Sequence, residues 1–182
     1  MKRFEIPVDK DLVIQSWKLE SAAELFQLTD KNRKQLQGWL VWVPETKGEE
    51  DSRKFIQRCL KEYEEQTGLE LGIWYKDKLI GCIGLHDINK NSRRASIGYW
   101  LAAEYQGKGI MTKAVRNLIN FGFKKLDLNR IGLGAGKENL KSRAIAERLG
   151  FTQEGTLRKY EFIDGRFVDH VVYSILQEEW KG

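Results

Sequence analysis

Tyr99-Trp100-Leu101-Ala102-Ala103-Glu104-Tyr105-Gln106-Gly107-Lys108-Gly109-Ile110-Met111-Thr112 carries the chain from the end of an apolar strand into an amphipathic helix. The physics of that passage decides how the rest is read. Gly107 and Gly109 let the backbone turn so that its N–H groups converge. A helix N-terminus already presents unpaired donors and a partial positive charge. Lys108 adds a cation. The stretch therefore reads either as a pyrophosphate cradle or as an ordinary loop with a helix cap. It is not a Walker A loop, because Gly109 rather than Ser or Thr follows Lys108. The Rossmann G-x-G-x-x-G spacing also fails here, since Thr112 stands at the last position, and it fails again at Gly132, Gly134 and Gly136.

Working outward, Met111, Ala114, Val115, Leu118 and Ile119 fall on one face of a helix after Gly109. A strand from Asn129 to Ala135, a helix from Asn139 to Leu149 and a strand from Phe151 to Ile163 follow. Asp164-Gly165 then turns the chain into a last strand, Arg166 to Leu176. Upstream, Leu69–Tyr75, Lys78–Leu85 and Arg93–Leu101 are three strands joined by turns at Lys76-Asp77 and Asn89-Lys90-Asn91, an antiparallel meander. Before them come a strand from Asp11 to Trp17 and a helix carrying Ala22, Leu25, Phe26 and Leu28. Ser21 and Glu24 give that helix a capping-box pattern. An apolar aromatic loop, Gly38 to Pro44, precedes a helix from Glu49 to Gln66. The order β-α-α-β-β-β-α-β-α-β-β predicts one mixed α/β domain over residues 1–182, with a strand–helix–strand crossover in its middle.

Composition narrows the function. The 182 residues hold 31 Lys+Arg against 26 Asp+Glu, and the two signs are interspersed, so the +5 charge reads as a solvated surface, not a sequence-specific nucleic-acid stripe. No apolar run approaches a membrane span, and Met1 to Leu12 lacks the apolar core of a signal peptide. Cys59 and Cys82 form no CxxC pair, and His86 and His170 lie far apart, which argues against a metal site and for a reduced, cytoplasmic protein.

Gln106-x-x-Gly109-x-Met111 resembles the Q/R-x-x-G-x-G/A signature of the GNAT superfamily of acetyl-CoA-dependent N-acetyltransferases, with Met111 where Gly or Ala is usual. Written out as Gln-Gly-Lys-Gly-Ile-Met-Thr, it is similar to the Rim-type branch, which acetylates ribosomal-protein N-termini. Asn129-Arg130-Ile131, Glu138-Asn139 with Ser142-Arg143, Leu149-Gly150-Phe151, Glu154-Gly155, Leu157-Arg158 and Asp164-Gly165-Arg166 agree, as do Trp39-Leu40-x-Trp42 and Asp51-Ser52 with Phe55-Ile56. The resemblance implies a central, mostly antiparallel twisted sheet, splayed in the middle and flanked by about four helices. It implies acetyl-CoA as co-substrate and no metal. Backbone groups of Tyr99 and Leu101 would meet the pantetheine and acetyl carbonyl, and Gln106, Gly107, Lys108, Gly109, Ile110, Met111 and Thr112 would hold the pyrophosphate. The acceptor would be a protein N-terminus, such as that of a ribosomal protein. The alternatives are a small polyamine or aminoglycoside-like amine, or a non-catalytic CoA-binding module. A homodimer is compatible with all of these.

The proton-transfer residues follow from the same resemblance. Many members carry a tyrosine acid on the helix after the Asn motif, but that place is Ala146 here. The Rim-type branch has a serine matching Ser142, which would otherwise be a surface hydroxyl bonding the preceding turn. Asn139 is both a favoured N-cap and a candidate cofactor contact. Glu161 matches the branch glutamate, as base, or is an exposed strand residue; a carboxylate near apolar walls has a raised pKa. His86 is a rival base or relay member on the substrate side, and His170 reads as a packed histidine. Trp39 and Trp42 either line the acceptor groove or fill core. Cys82, in an apolar strand without a basic neighbour, makes a poor nucleophile, so transfer should be direct.

Overall fold

The computed structural model describes residues 4–182. The chain runs through β1 (Glu5–Pro7), β2 (Leu12–Ser16), α1 (Ala22–Lys31), α2 (Arg33–Leu36) and α3 (Glu49–Glu65) before reaching the meander β3 (Leu69–Tyr75), β4 (Lys78–Asn89) and β5 (Arg94–Leu101). It continues with α4 (Ile110–Lys125), β6 (Arg130–Gly136), α5 (Leu140–Arg148), β7 (Thr152–Ile163) and β8 (Arg166–Leu176). Among the described residues eight strands form one sheet in the order β1-β2-β3-β4-β5-β6-β8-β7, in which β5 and β6 are the one parallel pair. This is the mixed, mostly antiparallel sheet expected from the sequence.

Both predicted two-residue turns have the backbone their hairpins need. Lys76 and Asp77 have φ of 49° and 62°, and Asp164 and Gly165 have 49° and 75°, the left-handed conformation that matches strand twist in tight hairpins. One face of the sheet is covered by α4 and α5, where Met111, Val115, Leu118 and Ile119 pack on Leu85, Ile97 and Leu133. The other is covered by α1 and α3, where Leu25, Ile56 and Cys59 pack with Trp17, Cys82 and Trp100.

Four local readings change. The short β1, with Glu5 and Pro7, and the four-residue α2 were not expected; neither has enough length to show a period. β4 runs past Leu85 to Asn89 and so carries His86 within the sheet. Ser21 makes no side-chain cap, because its own backbone is helical. Glu24 instead accepts a hydrogen bond of 3.1 Å from the Leu79 N–H, tying α1 to the start of β4.

The feature that positions everything else is a short pairing. β5 and β6 are joined only through Arg94↔Arg130, Ala95↔Ile131 and Ser96↔Gly132. Beyond that row β5 stays on β4 as far as Leu101, and β6 stays on β8 as far as Gly136. The two strands part and leave a V. The close approach of β4 to β5 that holds the near lip depends on Gly81, where a Cβ would sit 2.3 Å from the Trp100 carbonyl oxygen. Gly81→Ala is expected to cost about 1–3 kcal/mol by overpacking, read as a lower denaturation midpoint with unchanged slope.

Candidate active site

At the open end of the V, Gly109 is the N-cap of α4 and no side chain caps the helix. The first α4 bond runs from the Lys113 N–H to the Gly109 carbonyl. The N–H groups of residues 107–112 therefore have no protein acceptor among the described residues. Gly107 and Gly109 both have φ of 73°, and a Cβ at either would point into open space. Met111, the departure from the usual Gly or Ala, is 5% exposed, and its side chain enters the core. That is why a large residue is tolerated there.

Three cations ring this helix end. Lys108 lies over the Tyr105 ring, Lys141 Nζ is 2.9 Å from Gln106 Oε1, and Arg148 donates to Thr112 Oγ1 at 3.0 Å. Sequence reasoning missed Lys141 and Arg148, although their spacing of seven places both on one face of α5. Gln106 Nε2 donates to the Leu101 carbonyl at 3.0 Å, locking the loop onto the strand. Converging donors, open glycines and surrounding cations suit a polyanion such as a pyrophosphate.

Along the near lip, the Ala102 N–H donates to the Ile80 carbonyl. Antiparallel bonding alternates, so Trp100 and Gly98 face β4, and the backbone polar groups of Tyr99 and Leu101 turn toward the opening. The Tyr99 phenol crosses the V. It donates to the Ser142 carbonyl at 3.1 Å and accepts from Ser142 Oγ at 3.1 Å. Burial pushes the phenol up to about 12, so it keeps its proton. Asn139 caps α5 by accepting from the Ser142 N–H at 3.2 Å. The phenol missing at Ala146, which is fully buried, thus arrives beside Ser142 from the opposite strand.

On the α1–α3 side the aromatic loop spans both lips. Trp42 lies 6.2 Å from Trp100 of β5, while Trp39 covers Gly136 of β6, where a Cβ would be 3.2 Å from its ring. Arg33 of α2 holds the loop closed, donating to the Val43 and Thr46 carbonyls at 2.6 Å each. Beneath the loop, Gly132, Gly134 and Gly136 leave this face of β6 bare. His170 Nδ1 stands over Gly134, 3.6 Å from the position of a Cβ. His170 Nε2 is 3.1 Å from Glu161 Oε2, and its ring is 4.9 Å from that of Tyr160. The histidine read as packing is therefore the partner of the glutamate read as base.

A second such pair lies across the groove. His86 sits in the last continuous row, His86–Ser96–Gly132. Its Nε2 is 3.2 Å from Glu70 Oε2, off the line of a hydrogen bond, and that oxygen is enclosed with no other partner among the described residues. Burial pushes the Glu70 carboxyl up to about 8. Nothing in the sequence marked Glu70, which reads as the polar step of an alternating strand. Burial also holds the Cys82 thiol well above its ordinary range, so no thiolate is available. Among the described residues no three His, Cys, Asp or Glu side chains gather to hold a metal, and no helix is long and apolar enough to cross a membrane.

The Glu70 result has a consequence for stability. Between pH 4.5 and about 8 the folded protein holds a proton that the unfolded chain has released. Stability therefore falls as pH rises through that window, by at most about 1.4 kcal/mol per pH unit. Glu70→Gln is expected to lose this dependence, so its melting temperature should gain on the wild type between pH 5 and pH 8.

The molecule has relatives that agree with this geometry. Residues 11–152 match the acetyltransferase (GNAT) domain family. The putative ribosomal N-acetyltransferase YdaF of Bacillus subtilis is 37% identical, over 98% of each chain. The ribosomal-protein-serine acetyltransferase of Escherichia coli is 33% identical, over 89% of this chain and 93% of its own. The structure of RimL, a ribosomal L7/L12 α-N-protein acetyltransferase solved with coenzyme A, superposes with a TM-score of 0.93 at 27% identity, covering 95% of this chain and 98% of its own. A sheet parted after three rows, with bare helix-end donors at the mouth of the gap and such relatives along its full length, shows that this chain belongs to the GNAT family of N-acetyltransferases.

Proposed function

We propose that the protein carries acetyl from acetyl-CoA directly to the N-terminal α-amine of a protein, of the ribosomal-protein kind. The observation that carries the reading is the V between β5 and β6, with an anion cradle at its mouth and a tryptophan-roofed groove on its other face. Bound acetyl-CoA supplies the thioester carbonyl that the amine attacks. In this reading the N–H groups from Gly107 to Thr112, with Lys108, Lys141 and Arg148, bind its pyrophosphate. The backbone of Tyr99 and Leu101 orients the acyl arm, and an N–H of that edge steadies charge on the carbonyl oxygen. Asn139 keeps its amide nitrogen free for the same ligand.

Ser142, with the Tyr99 phenol behind it, supplies the proton for the leaving sulfur. Glu161, oriented by His170, takes a proton from the attacking nitrogen. Trp39 and Trp42 wall the path of an extended N-terminus. An α-amine has a pKa near 8, against about 10.4 for lysine, so it needs less help to become nucleophilic. Of the two glutamates described on the groove, Glu161 lies against His170 and burial keeps Glu70 uncharged below about pH 8, which weakens the draw on a polycation such as a polyamine.

Release of CoA thiol from acetyl-CoA is expected with peptides bearing free Ser, Ala or Met N-termini. It should vanish when the N-terminus is blocked and the lysines are left free. Turnover with spermidine alone would replace this reading with a polyamine one. Gly109→Trp should abolish calorimetric acetyl-CoA binding in a protein that still folds, since its side chain would fill the cradle. Ser142→Ala and Glu161→Gln should each lower kcat by about 10²–10⁴-fold with acetyl-CoA affinity nearly intact. Cys82→Ala should keep most of the activity.

A further inference from the structure

Two neighbouring residues at the junction of α1 and α2 grip the two sides of the site. Asn32 ends one helix and begins the next, with φ of −105° and ψ of 6°, and is 8% exposed. Its amide is engaged at both ends: Nδ2 donates to the Leu28 carbonyl at 2.8 Å, and Oδ1 accepts from the Ala103 N–H at 2.9 Å. Ala103 stands between the end of β5 and Gln106, on the segment that leads the strand into the cradle. Arg33 reaches the aromatic loop instead. Beside its two bonds to the Val43 and Thr46 carbonyls, its Nε donates to Asp30 Oδ1 at 3.0 Å. All three guanidinium nitrogens are in use.

These contacts close a ring. It runs from Trp100 along the chain to Ala103, across to Asn32, from Arg33 to Val43 and Trp42, and back to the Trp100 ring. Few other bonds hold the loop. Among the described residues, the hydrogen bonds that residues 39–46 make beyond themselves go to Arg33 and to the Leu36 carbonyl at the loop's base. Val43 roots the loop in the core between α1 and α3, but one apolar anchor leaves its tilt undetermined. Charge-assisted bonds to two carbonyls three residues apart fix it, because a planar guanidinium presents its donors in a rigid fork. Lys31 and Glu104 add an ion pair alongside at 3.2 Å, exposed enough to contribute little.

We infer that Asn32 and Arg33 are positioning residues for the transfer, setting the tryptophan wall of the acceptor groove against the end of β5 that carries the thioester; this rests on the acetyl-transfer reading above. Neither touches the reacting atoms. Asn32 takes its reference from the β5 exit, and Arg33 passes that reference to the loop. An amine running along Trp39 and Trp42 then arrives at the thioester carbonyl at the right height, where a misplacement of about 1 Å can cost about 10²-fold in rate. The effect falls on the acceptor, since the N–H donors of residues 107–112 lie outside the ring.

The test is steady-state kinetics of Arg33→Ala, Arg33→Lys and Asn32→Ala, with a peptide bearing a free N-terminal serine, well below each unfolding midpoint. Arg33→Ala should lower kcat/KM for the peptide about tenfold or more, with KM for acetyl-CoA within about twofold of wild type. Arg33→Lys keeps the charge but can bond only one carbonyl at a time, so it should fall between the two. Asn32→Ala should repeat the Arg33→Ala pattern; if loss of the buried amide unfolds it, the Arg33 variants decide. In a protein carrying Trp39→Ala and Trp42→Ala, Arg33→Ala should have no further effect, because the wall through which it acts is gone. A residue needed only for stability would lower the unfolding midpoint and leave the kinetic constants of the folded protein unchanged. That result beside an active wild type overturns the inference alone, as does an undiminished Arg33→Ala effect without the two tryptophans. A wild type that turns over no amine overturns the acetyl-transfer reading and this inference with it.

Discussion

Three rows of parallel pairing between β5 and β6 are the constraint on which the molecule depends. With fewer rows the sheet would divide into two halves; with more, the backbone edges of Tyr99 and Leu101 would be consumed by the ladder. The halves are held by other means once they part. The Tyr99–Ser142 hydrogen bonds tie β5 to α5 on one side. The tryptophan loop ties Trp100 to Gly136 on the other. The opening is therefore a braced gap in a continuous sheet.

Within that gap, placement of charge follows from placement of glycine. Gly84, Gly98, Gly134 and Gly136 carry no turn; they remove side chains from one face so that Glu70, His86, His170 and Trp39 can lie flat on it. A strand residue normally projects away from its sheet. Here long side chains lean along the surface over neighbouring glycines, which brings residues from three strands and a loop onto one floor. The cost is a carboxyl held from water, expressed in its raised pKa.

What could be read from the sequence was what is encoded locally. The meander's turn at Lys76-Asp77, the β7–β8 turn at Asp164-Gly165, the glycine entry to α4 and the family signature around Gln106 each occupy a few consecutive residues, and each is where it was expected. What escaped was set by register or by packing. Glu70 is one polar residue in an alternating strand until pairing puts it opposite Gly84. Arg148 becomes part of the cradle only when α5 lies beside α4. His170 looked like packing because its partner Glu161 is displaced by an irregularity in the β7–β8 register. Ser21 failed as a cap because propensity does not fix the backbone angle of the residue that would do the capping.

Met111 and Ile110 join two properties that most proteins keep apart. Their N–H groups have no protein acceptor among the described residues, and their side chains are in the main core, at 5% and 8% exposure. The first turn of α4 can therefore neither fray nor swing without opening the interior. A ligand that engages those donors only in the folded state adds its binding free energy to the stability of the fold.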